Sequence, residues 1–344
     1  MNLNLSKVNM SKSLGIDLGT SNTLIYLAGK GIVLQEPSVA AINSRSMQVL
    51  EVGDAAGLMV GKTGGEQLAF RPIKDGVIAD FDVTVDMLGK FIRKVTGPIF
   101  FNRPKVAVCV PLGLTGVERR AFEDAAGSAG ARNVTLIEAP IAAAIGAGIK
   151  IGAPRGSFII DIGGGTTEVA TVSLGGIVAS ASVRAASAKM DDAIMLYIKR
   201  RYNVGISPKT AEALKLRIGS VHPQADAGAM EVRGKNLASG LPVTLNVTSG
   251  DVRDAVGDVM EQILDCIRAV LEKTPPELCA DIYDRGILLT GGGASLRGLP
   301  VLLSQITGIR VTVAERPLQT CALGLGRFVE HPERYPYLTQ YKAR

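Results

Sequence analysis

After a polar opening stretch, the chain has two short apolar runs separated by a polar turn. Residues 14–18 (LGIDL) lead into a Gly-Thr turn, and Leu24–Leu27 supply β-forming residues soon after it. Short runs of such residues bounded by turn residues are typical of strands. The pattern therefore predicts a β-hairpin that carries Asp17 near the end of its first strand.

The same pattern returns 144 positions later, with Asp161 in the place of Asp17. An apolar run over 158–162 leads into three consecutive glycines, and Val169–Val172 continue the apolar pattern. Self-similarity of this kind indicates a structural repeat. We expect two similar subdomains, with a ligand bound between them.

Strands and helices alternate along the rest of the chain, which predicts an α/β architecture with sheets covered by helices. The helix that starts at Ser207 has that residue as its cap and Pro208 in its first turn. Further strands are predicted over 104–111, 133–140 and 286–290, helices over 116–131, 141–148, 189–204, 207–219 and 249–274, and a polar hairpin over 231–248.

Composition sharpens this picture. A chain of 344 residues exceeds the size of a single growing core, so two or more domains are expected. Apolar residues make up 47% and aromatic residues 4%, with 40 glycines, which suits an aliphatic α/β protein. The net charge of +6 is dispersed among acids. A mildly basic solvated surface is therefore favoured over attraction to anionic lipid, and nucleic acid is not an expected partner.

The four cysteines lack the paired spacing of a zinc site or a disulfide framework, which predicts buried thiols in a reducing cytoplasm. They are Cys109, Cys266, Cys279 and Cys321. No apolar run reaches the roughly 20 residues of a membrane-spanning helix. The first 13 residues lack the apolar core of a signal peptide and keep no clean amphipathic stripe.

Glycines directly after a strand let backbone N–H groups approach an anion, because no Cβ stands in the way. Three such loops begin at Gly19, Gly163 and Gly291. One loop alone suits a plain hairpin, but three, two of them behind an aspartate, favour phosphate. Asp17 and Asp161 are the natural pair for a hydrated Mg²⁺, which prefers oxygen ligands. A Walker A sequence is absent, and no GxGxxG sequence opens a helix.

Five segments resemble, in order and spacing, the MreB family of bacterial actin homologues, over nearly the whole chain. They are GIDLGTSNTLIYLAGKGIVLQEPSV, VPLGLTGVERRA, IDIGGGTTEVA, KTPPEL and LLTGGGASLRGL. The resemblance implies the two-lobed actin-like fold of the actin, DnaK-type and sugar kinase superfamily, with duplicated subdomains around a nucleotide cleft. It also implies an ATPase that uses ATP and Mg²⁺.

The resemblance assigns roles to residues of the three glycine loops and of one helix. Glu212 and Lys215 would hold the ribose and adenine side, although alone they would be an ordinary helix-surface pair. The other implied nucleotide-binding residues are Thr20, Ser21, Asn22, Gly163, Gly164, Gly165, Thr166, Gly291, Gly292, Gly293, Ala294 and Ser295. From the residues themselves, we expect Asp17 and Asp161 to bind the metal through water, and Thr166 and Thr167 to hold the attacking water by hydrogen bonds.

Family members form paired, membrane-bound filaments that organise cell-wall elongation and cell shape. The resemblance therefore implies three partners: further copies of this chain, the inner face of the membrane and wall-elongation proteins. Ile99, Phe100 and Phe101 stand in a loop flanked by basic residues, where core packing and membrane insertion are both compatible with the sequence. The implied subdomains are IA (1–40, 84–151 and 323–344), IB (41–83), IIA (152–188 and 251–322) and IIB (189–250).

Two departures from the family pattern bear on catalysis. The family usually has Glu-Glu-Pro where this chain has Glu138, Ala139 and Pro140, and the second glutamate is credited with positioning the attacking water. The family also tends to have Gly-Asp-Glu-Met-Asp where this chain has 187–191, Ser-Ala-Lys-Met-Asp. We expect ATP binding and assembly with weakened hydrolysis.

Two rival functions follow from the same superfamily. A small-molecule kinase would need a base for its acceptor, and the sequence offers no candidate. A DnaK-type chaperone would need a peptide-binding domain after the ATPase, and the sequence ends at Arg344. An ATP-binding filament protein is the favoured interpretation.

Overall fold

The computed structural model describes residues 12–62, 64–97 and 103–339. Its strands are β1 (Ser13–Leu18), β2 (Asn22–Leu27), β3 (Gly31–Pro37), β4 (Ala40–Asn43), β5 (Val49–Val52), β6 (Gln67–Phe70), β7 (Ile73–Lys74), β8 (Val77–Ile78), β9 (Lys105–Val110), β10 (Asn133–Glu138), β11 (Ser157–Ile162), β12 (Thr167–Ser173), β13 (Gly176–Val183), β14 (Val204–Gly205), β15 (Ala229–Asn236), β16 (Pro242–Thr248), β17 (Ile287–Thr290) and β18 (Val311–Val313).

The helices of the described residues follow the alternation that the sequence predicts. They are α1 (Gly53–Gly57), α2 (Phe81–Thr96), α3 (Gly116–Ser128), α4 (Ala139–Gly146), α5 (Ser187–Tyr202), α6 (Pro208–Ile218), α7 (Ser249–Lys273), α8 (Pro276–Arg285), α9 (Leu299–Thr307), α10 (Thr320–Glu330) and α11 (Pro336–Thr339).

Two five-stranded sheets repeat one topology. In the first, β1, β2 and β3 form an antiparallel meander, β9 pairs parallel to β1, and β10 pairs parallel to β9. In the second, β11, β12 and β13 form the meander, and β17 and β18 take the parallel places in the same order. Asp17 is the fifth residue of β1 and Asp161 the fifth of β11. The predicted α/β fold with an internal duplication is confirmed.

Local signals explain where the helices begin. The Ser207 hydroxyl accepts a hydrogen bond from the Thr210 amide, and Pro208 occupies the first turn of α6, as predicted. The threonines that precede α3 and α7, Thr115 and Thr248, each form a capping box with an acid three residues later. These reciprocal bonds satisfy amides that a helix N-terminus otherwise leaves without partners.

Contacts divide the described residues into two units, each with its own core. One comprises the described parts of Met1–Val110, Leu114–Glu138 and Cys321–Arg344, and the other comprises Pro111–Gly113 and Ala139–Thr320. In the first unit, α2 buries a face that includes Met87 and Phe91. In the second, α7 buries residues at helical spacing, among them Val252, Val256, Ile263 and Ile267. The four-part subdomain division stays a prediction.

The C-terminal helix α10 packs tightly on the β1–β2 hairpin of the first unit. A Cβ on Gly15 would lie 2.6 Å from the Leu325 Cβ, and a Cβ on Gly326 would lie 2.5 Å from the Tyr26 ring. The Tyr26 hydroxyl donates to Glu330 at 3.1 Å. Glycine is therefore required on both surfaces for the helix to approach the hairpin this closely.

The cysteine prediction needs one correction. All four thiols are free, and Cys109, Cys266 and Cys321 are buried, but Cys279 is partly exposed. Cys279 lies on the short helix α8, and its Sγ is 3.5 Å from the Thr274 carbonyl oxygen near the surface of the unit. No helix in the described residues is long and apolar enough to cross a membrane.

Candidate functional site

The first glycine loop is a tight turn at the end of β1. The Gly19 amide donates to the Asn22 carbonyl at 3.1 Å, which closes the turn around Thr20 and Ser21. A Cβ on Gly19 would lie 2.9 Å from that same carbonyl oxygen, closer than a side chain tolerates. The turn therefore depends on glycine, and Thr20, Ser21 and Asn22 follow one another along it.

Ser38 holds this loop through its backbone and its side chain. Its hydroxyl donates to the Gly19 carbonyl at 2.6 Å, and its amide donates to the Ser21 carbonyl at 3.0 Å. Because that proton goes to Gly19, the Thr23 hydroxyl is the donor in its 2.8 Å bond to Ser38. Both hydroxyl side chains are fully buried. Sequence reasoning missed Ser38, which stands 19 positions from Gly19.

Arg71 and Gly76 hold the same loop from the β7–β8 hairpin. The guanidinium Nη1 of Arg71 donates to the Thr20 carbonyl at 3.1 Å and to the Ser21 carbonyl at 2.8 Å. The Gly76 amide donates to the Thr20 hydroxyl oxygen at 3.1 Å. Asp75 and Gly76 both have positive φ, as a two-residue hairpin turn requires. The Asp-Gly pair signals that turn in the sequence, although not what the turn contacts.

Asp17 lies at the start of this loop, in register with Cys109 on the parallel strand β9. Burial raises the pKa of the Asp17 carboxyl to about 6, and a hydrogen bond from the Cys109 side chain opposes the rise. The ionised form of a buried carboxylate with a raised pKa is stabilised when a cation approaches, because opposite charges attract. The chemistry of Asp17 therefore suits a metal bound through water.

The second loop repeats the first at the end of β11. The Gly163 amide donates to the Thr166 carbonyl at 2.9 Å, which is the counterpart of the Gly19 bond. The carbonyls of Gly163 and Gly164 accept hydrogen bonds from the Ser187 amide at 3.3 Å and the Ala188 amide at 2.9 Å. The start of α5 thus fixes this loop from one side, and Gly165 is buried within the turn.

The third loop packs against the second because β17 lies beside β11. Their parallel pairing sets Asp161 opposite Thr290, so the glycines that follow Thr290 meet the end of β11. Cβ atoms on Gly291 and Gly293 would collide with Asp161 and Ile162. The structure therefore brings Asp161, Gly163–Thr166 and the loop Gly291–Ser295 to one edge of the second sheet, and the last four residues of that loop form a short 3₁₀ helix.

The two threonines after Gly165 differ in their surroundings. Thr167 is fully buried, and its hydroxyl donates to the Ala185 carbonyl at 2.6 Å. Thr166 is partly exposed, and its hydroxyl forms a hydrogen bond with the Glu168 carboxylate. Sequence reasoning did not single out Glu168, although an acid within a strand that is buried along its whole length is a signal for a functional role.

Lys215 and Glu212 lie on α6, three residues apart. The Lys215 ammonium lies 2.8 Å from Asp191 Oδ1 and donates to the Ser187 carbonyl at 2.9 Å. Lys215 is buried, whereas Glu212 is exposed. Burial raises the pKa of Asp191 to about 6, with Lys215 opposing the rise and Glu212 adding to it. This cluster joins α6 to the start of α5, next to the second loop.

Ala139 is the first residue of α4, and only 8% of it is exposed. The preceding Glu138 has its Oε1 3.7 Å from an Arg119 guanidinium nitrogen, and both side chains are partly exposed. Glu138 thus has an ion-pair partner of its own on α3. Ile99, Phe100 and Phe101 lie outside the described residues.

Within the described residues, no group of three or more His, Cys, Asp or Glu side chains could form a metal cage. A magnesium ion bound together with nucleotide needs no such cage, since phosphates and waters supply most of its ligands. Asp17 in one unit and Asp161 in the other each supply a carboxylate of the kind that can bind such an ion through water. The glycine loops after β11 and β17 suit phosphates, because no Cβ shields their backbone N–H groups.

Two copies of one five-stranded sheet, each with an aspartate before a tight turn, define an actin-like protein. The chain belongs to the MreB/Mbl family, whose family model, described as MreB/Mbl protein, matches residues 11–336. The chain is 45% identical to the cell shape-determining protein Mbl of Bacillus cereus, over 95% of this chain and 98% of that protein. It is 50% identical to the cell shape-determining protein MreB of Escherichia coli, over 93% of this chain and 94% of that one.

Solved structures agree with this assignment. MreB5 of Spiroplasma citri bound to ADP superposes with a TM-score of 0.89 at 36% identity, covering 95% of this chain and 98% of that one. The same protein bound to AMPPNP also gives 0.89 at 36%, covering 96% and 99%. A MamK double helical filament shares the fold, with a TM-score of 0.79 at 21% identity, covering 93% and 98%.

Proposed function

We propose that this chain is a bacterial actin that binds ATP with Mg²⁺, polymerises into paired protofilaments on the inner face of the cell membrane, and organises cell-wall elongation and cell shape. The observation that carries the proposal is the repeated turn. Gly19 and Gly163 close equivalent loops with equivalent hydrogen bonds, each after an aspartate at the same strand position. Nucleotide-bound MreB5 relatives support the nucleotide, and the cell shape-determining relatives support the cellular role.

Different residues contact the phosphates, the adenosine and the ribose of the nucleotide. Thr20, Ser21, Asn22 and the loop Gly163–Thr166 contact the phosphates, and Gly291–Ser295 lines the adenosine. Glu212, which is exposed, accepts from ribose hydroxyls. Lys215, which is buried, holds Asp191 and the start of α5 in place. Magnesium supplies charge neutralisation at the phosphates when it is bound.

Hydrolysis is expected to be slow. The oxygen of a water attacks the γ-phosphorus, the bond to the β–γ bridging oxygen breaks, and ADP and inorganic phosphate are the products, with the protons of the water left on phosphate and solvent. Catalysis of such a step consists mostly of positioning and charge stabilisation. Ala139 can neither orient a water nor take its proton, so Thr166 is the remaining water-positioning group.

One experiment tests nucleotide, polymer and membrane together. The full chain is incubated with Mg²⁺-ATP on vesicles rich in phosphatidylglycerol and imaged by electron microscopy, with arms that lack nucleotide or use neutral lipid. We expect paired filaments on the anionic vesicles with ATP and few in either control arm. A chain that binds no ATP, or that stays monomeric with ATP at every concentration tested, would overturn the proposal.

The metal assignment is tested separately with Asp161→Ala. Removing this carboxylate should weaken ATP binding in Mg²⁺ and change binding in EDTA little, because only the metal-dependent part uses its charge. Equal affinities of parent and variant in Mg²⁺ would refute the assignment. A small-molecule kinase is not favoured by the family assignment, and phosphorylation of a metabolite at the expense of ATP would be its signature.

A further inference from the structure

Glu168 is a buried acid that no step of the proposed mechanism yet uses. It is the second residue of β12, a strand whose seven residues are all buried, and only 2% of it is exposed. A buried carboxylate is costly unless hydrogen bonds compensate it. The groups that donate hydrogen bonds to Glu168 therefore indicate its role.

Three donors converge on this carboxylate. Oε2 accepts from the Leu112 amide at 3.0 Å, Oε1 accepts from the Ser182 hydroxyl at 3.0 Å, and the Thr166 hydroxyl supplies the third bond. Burial raises the pKa of Glu168 to about 7, these three bonds oppose the rise, and the charge of Asp161 adds to it. The carboxylate is thus a hub that connects the segment Pro111–Gly113, β13 and the second glycine loop.

The bond to Thr166 fixes the direction of that hydroxyl. A hydroxyl has one proton and two lone pairs. When the proton is donated to Glu168, the oxygen is left as an acceptor towards any water beside the loop. Thr166 directly precedes β12 and Glu168 is the second residue of that strand, so the two are separated by Thr167 alone. Thr167 faces the other way, and its proton is committed to Ala185.

We propose that Glu168 is a positioning residue for hydrolysis, which holds the Thr166 hydroxyl as the acceptor that orients the attacking water. This role rests on the proposed ATP hydrolysis and deepens it, because it supplies the orientation that Ala139 cannot give. Glu168 acts through Thr166 and does not itself touch the nucleotide.

The test separates this role from a purely structural one. Glu168→Gln keeps the shape but loses one acceptor oxygen, so at least one of the three donors loses its partner. Ser182→Ala is the matched control, because it removes another donor to the same carboxylate and leaves Thr166 untouched. Thr166→Val removes the oriented hydroxyl itself. Thermal stability and ATP affinity are measured for each variant, followed by single-turnover phosphate release in assembled filaments.

We expect Glu168→Gln and Thr166→Val each to slow phosphate release about tenfold with ATP affinity within about twofold of the parent, and Ser182→Ala to change the rate less than twofold. The double variant Glu168→Gln/Thr166→Val should be no slower than the slower single variant, because both changes remove one interaction. If Glu168→Gln does not fold, Glu168→Asp, which keeps the charge and shortens the reach, replaces it in the same comparison.

Three outcomes would overturn the role of Glu168. In one, Glu168→Gln and Ser182→Ala slow release equally and in proportion to their loss of stability. In another, the effects of Glu168→Gln and Thr166→Val multiply in the double variant. In the third, Glu168→Gln releases phosphate at the rate of the parent. A parent chain that binds ATP and never releases phosphate contradicts the proposed hydrolysis instead, and the role of Glu168 with it.

Discussion

The Lys215 ammonium and Asp191 Oδ1 form an ion pair at 2.8 Å in which 9% and 18% of the two side chains are exposed. The pair is close but poorly aligned, so Oδ1 gains Coulombic attraction without a well-directed hydrogen bond from any described residue. Burial still raises the pKa of Asp191 to about 6. Lys215 therefore stabilises the charged form of the buried Asp191 carboxylate, which would be costly to keep without it.

Lys215→Met should destabilise the nucleotide-free chain by about 3 kcal/mol at pH 7.5, because it leaves a buried carboxylate unpaired. The pKa of Asp191 should then rise further. Since a raised carboxyl pKa means that the folded state takes up protons more readily than the unfolded state, stability increases as pH falls through that pKa. The deficit should therefore shrink at pH 5. Urea unfolding at the two pH values measures it.

Lys209→Met is the control for this prediction, because Lys209 is exposed on the same helix. It should change the free energy of unfolding by less than about 0.5 kcal/mol at either pH. A Lys215→Met deficit that is equal at pH 5 and pH 7.5 would mean that Asp191 is not the group left uncompensated.

Arg71→Met should weaken ATP binding about tenfold, because the guanidinium bonds to the Thr20 and Ser21 carbonyls set the direction of the first loop. Arg45→Met provides the comparison, since Arg45 pairs with Glu66 on the exposed surface of the same unit. Fluorescent-nucleotide titration measures both variants. If the two bind ATP equally well, the loop does not need Arg71 to hold its shape.

Arg71 also shows where sequence reasoning stops. The aspartates before the glycine loops could be predicted, because an apolar run that ends in turn residues is a local signal. The contacts of Arg71 could not, because they join residues about fifty positions apart and depend on how the β7–β8 hairpin packs. The ion pair of Lys215 with Asp191 is a similar case, since the spacing of Glu212 and Lys215 alone indicates only a surface pair on a helix.

The repeated topology was predictable in outline for a related reason. Two hairpins with the same spacing of strand, aspartate and turn indicate a duplication. The sequence did not reveal that the third loop would pack on the second, because that follows from the pairing of β17 with β11. Glu168 could have been recognised from the sequence as a candidate functional residue, since a lone acid in an apolar strand needs a hydrogen-bond partner.

Replacing Phe100 and Phe101 by Ser should release monomers from anionic vesicles. Burial of one such side chain contributes roughly 1.5 to 3 kcal/mol, so the double variant loses most of a modest affinity. Filaments should be retained longer, because many copies bind together. Co-sedimentation with vesicles measures both. Val117→Ser is the control, because Val117 is 81% exposed elsewhere. Full binding by a folded double variant would mean that the loop packs in the core.

The substitution Ala139→Glu should accelerate hydrolysis, because it adds a group that can orient the attacking water or take its proton. Such a group typically contributes about 10² to 10⁴ in rate when it is ideally placed, and an introduced side chain at the start of α4 should recover at least severalfold. Phosphate release per subunit in assembled filaments at saturating ATP is the measurement. ATP affinity should stay within about twofold, since the change removes no contact with nucleotide.

Ala139→Gln is the matched control for Ala139→Glu. Glutamine has nearly the same size as glutamate at this 8% exposed position, but it cannot take a proton. If both variants accelerate release equally, the missing function is orientation of the water by a hydrogen bond. If only Ala139→Glu accelerates it, the missing function is the carboxylate itself. If neither does so while binding and assembly are intact, position 139 does not limit the chemistry, and the departure at Ser187–Lys189 becomes the place to restore the family residues.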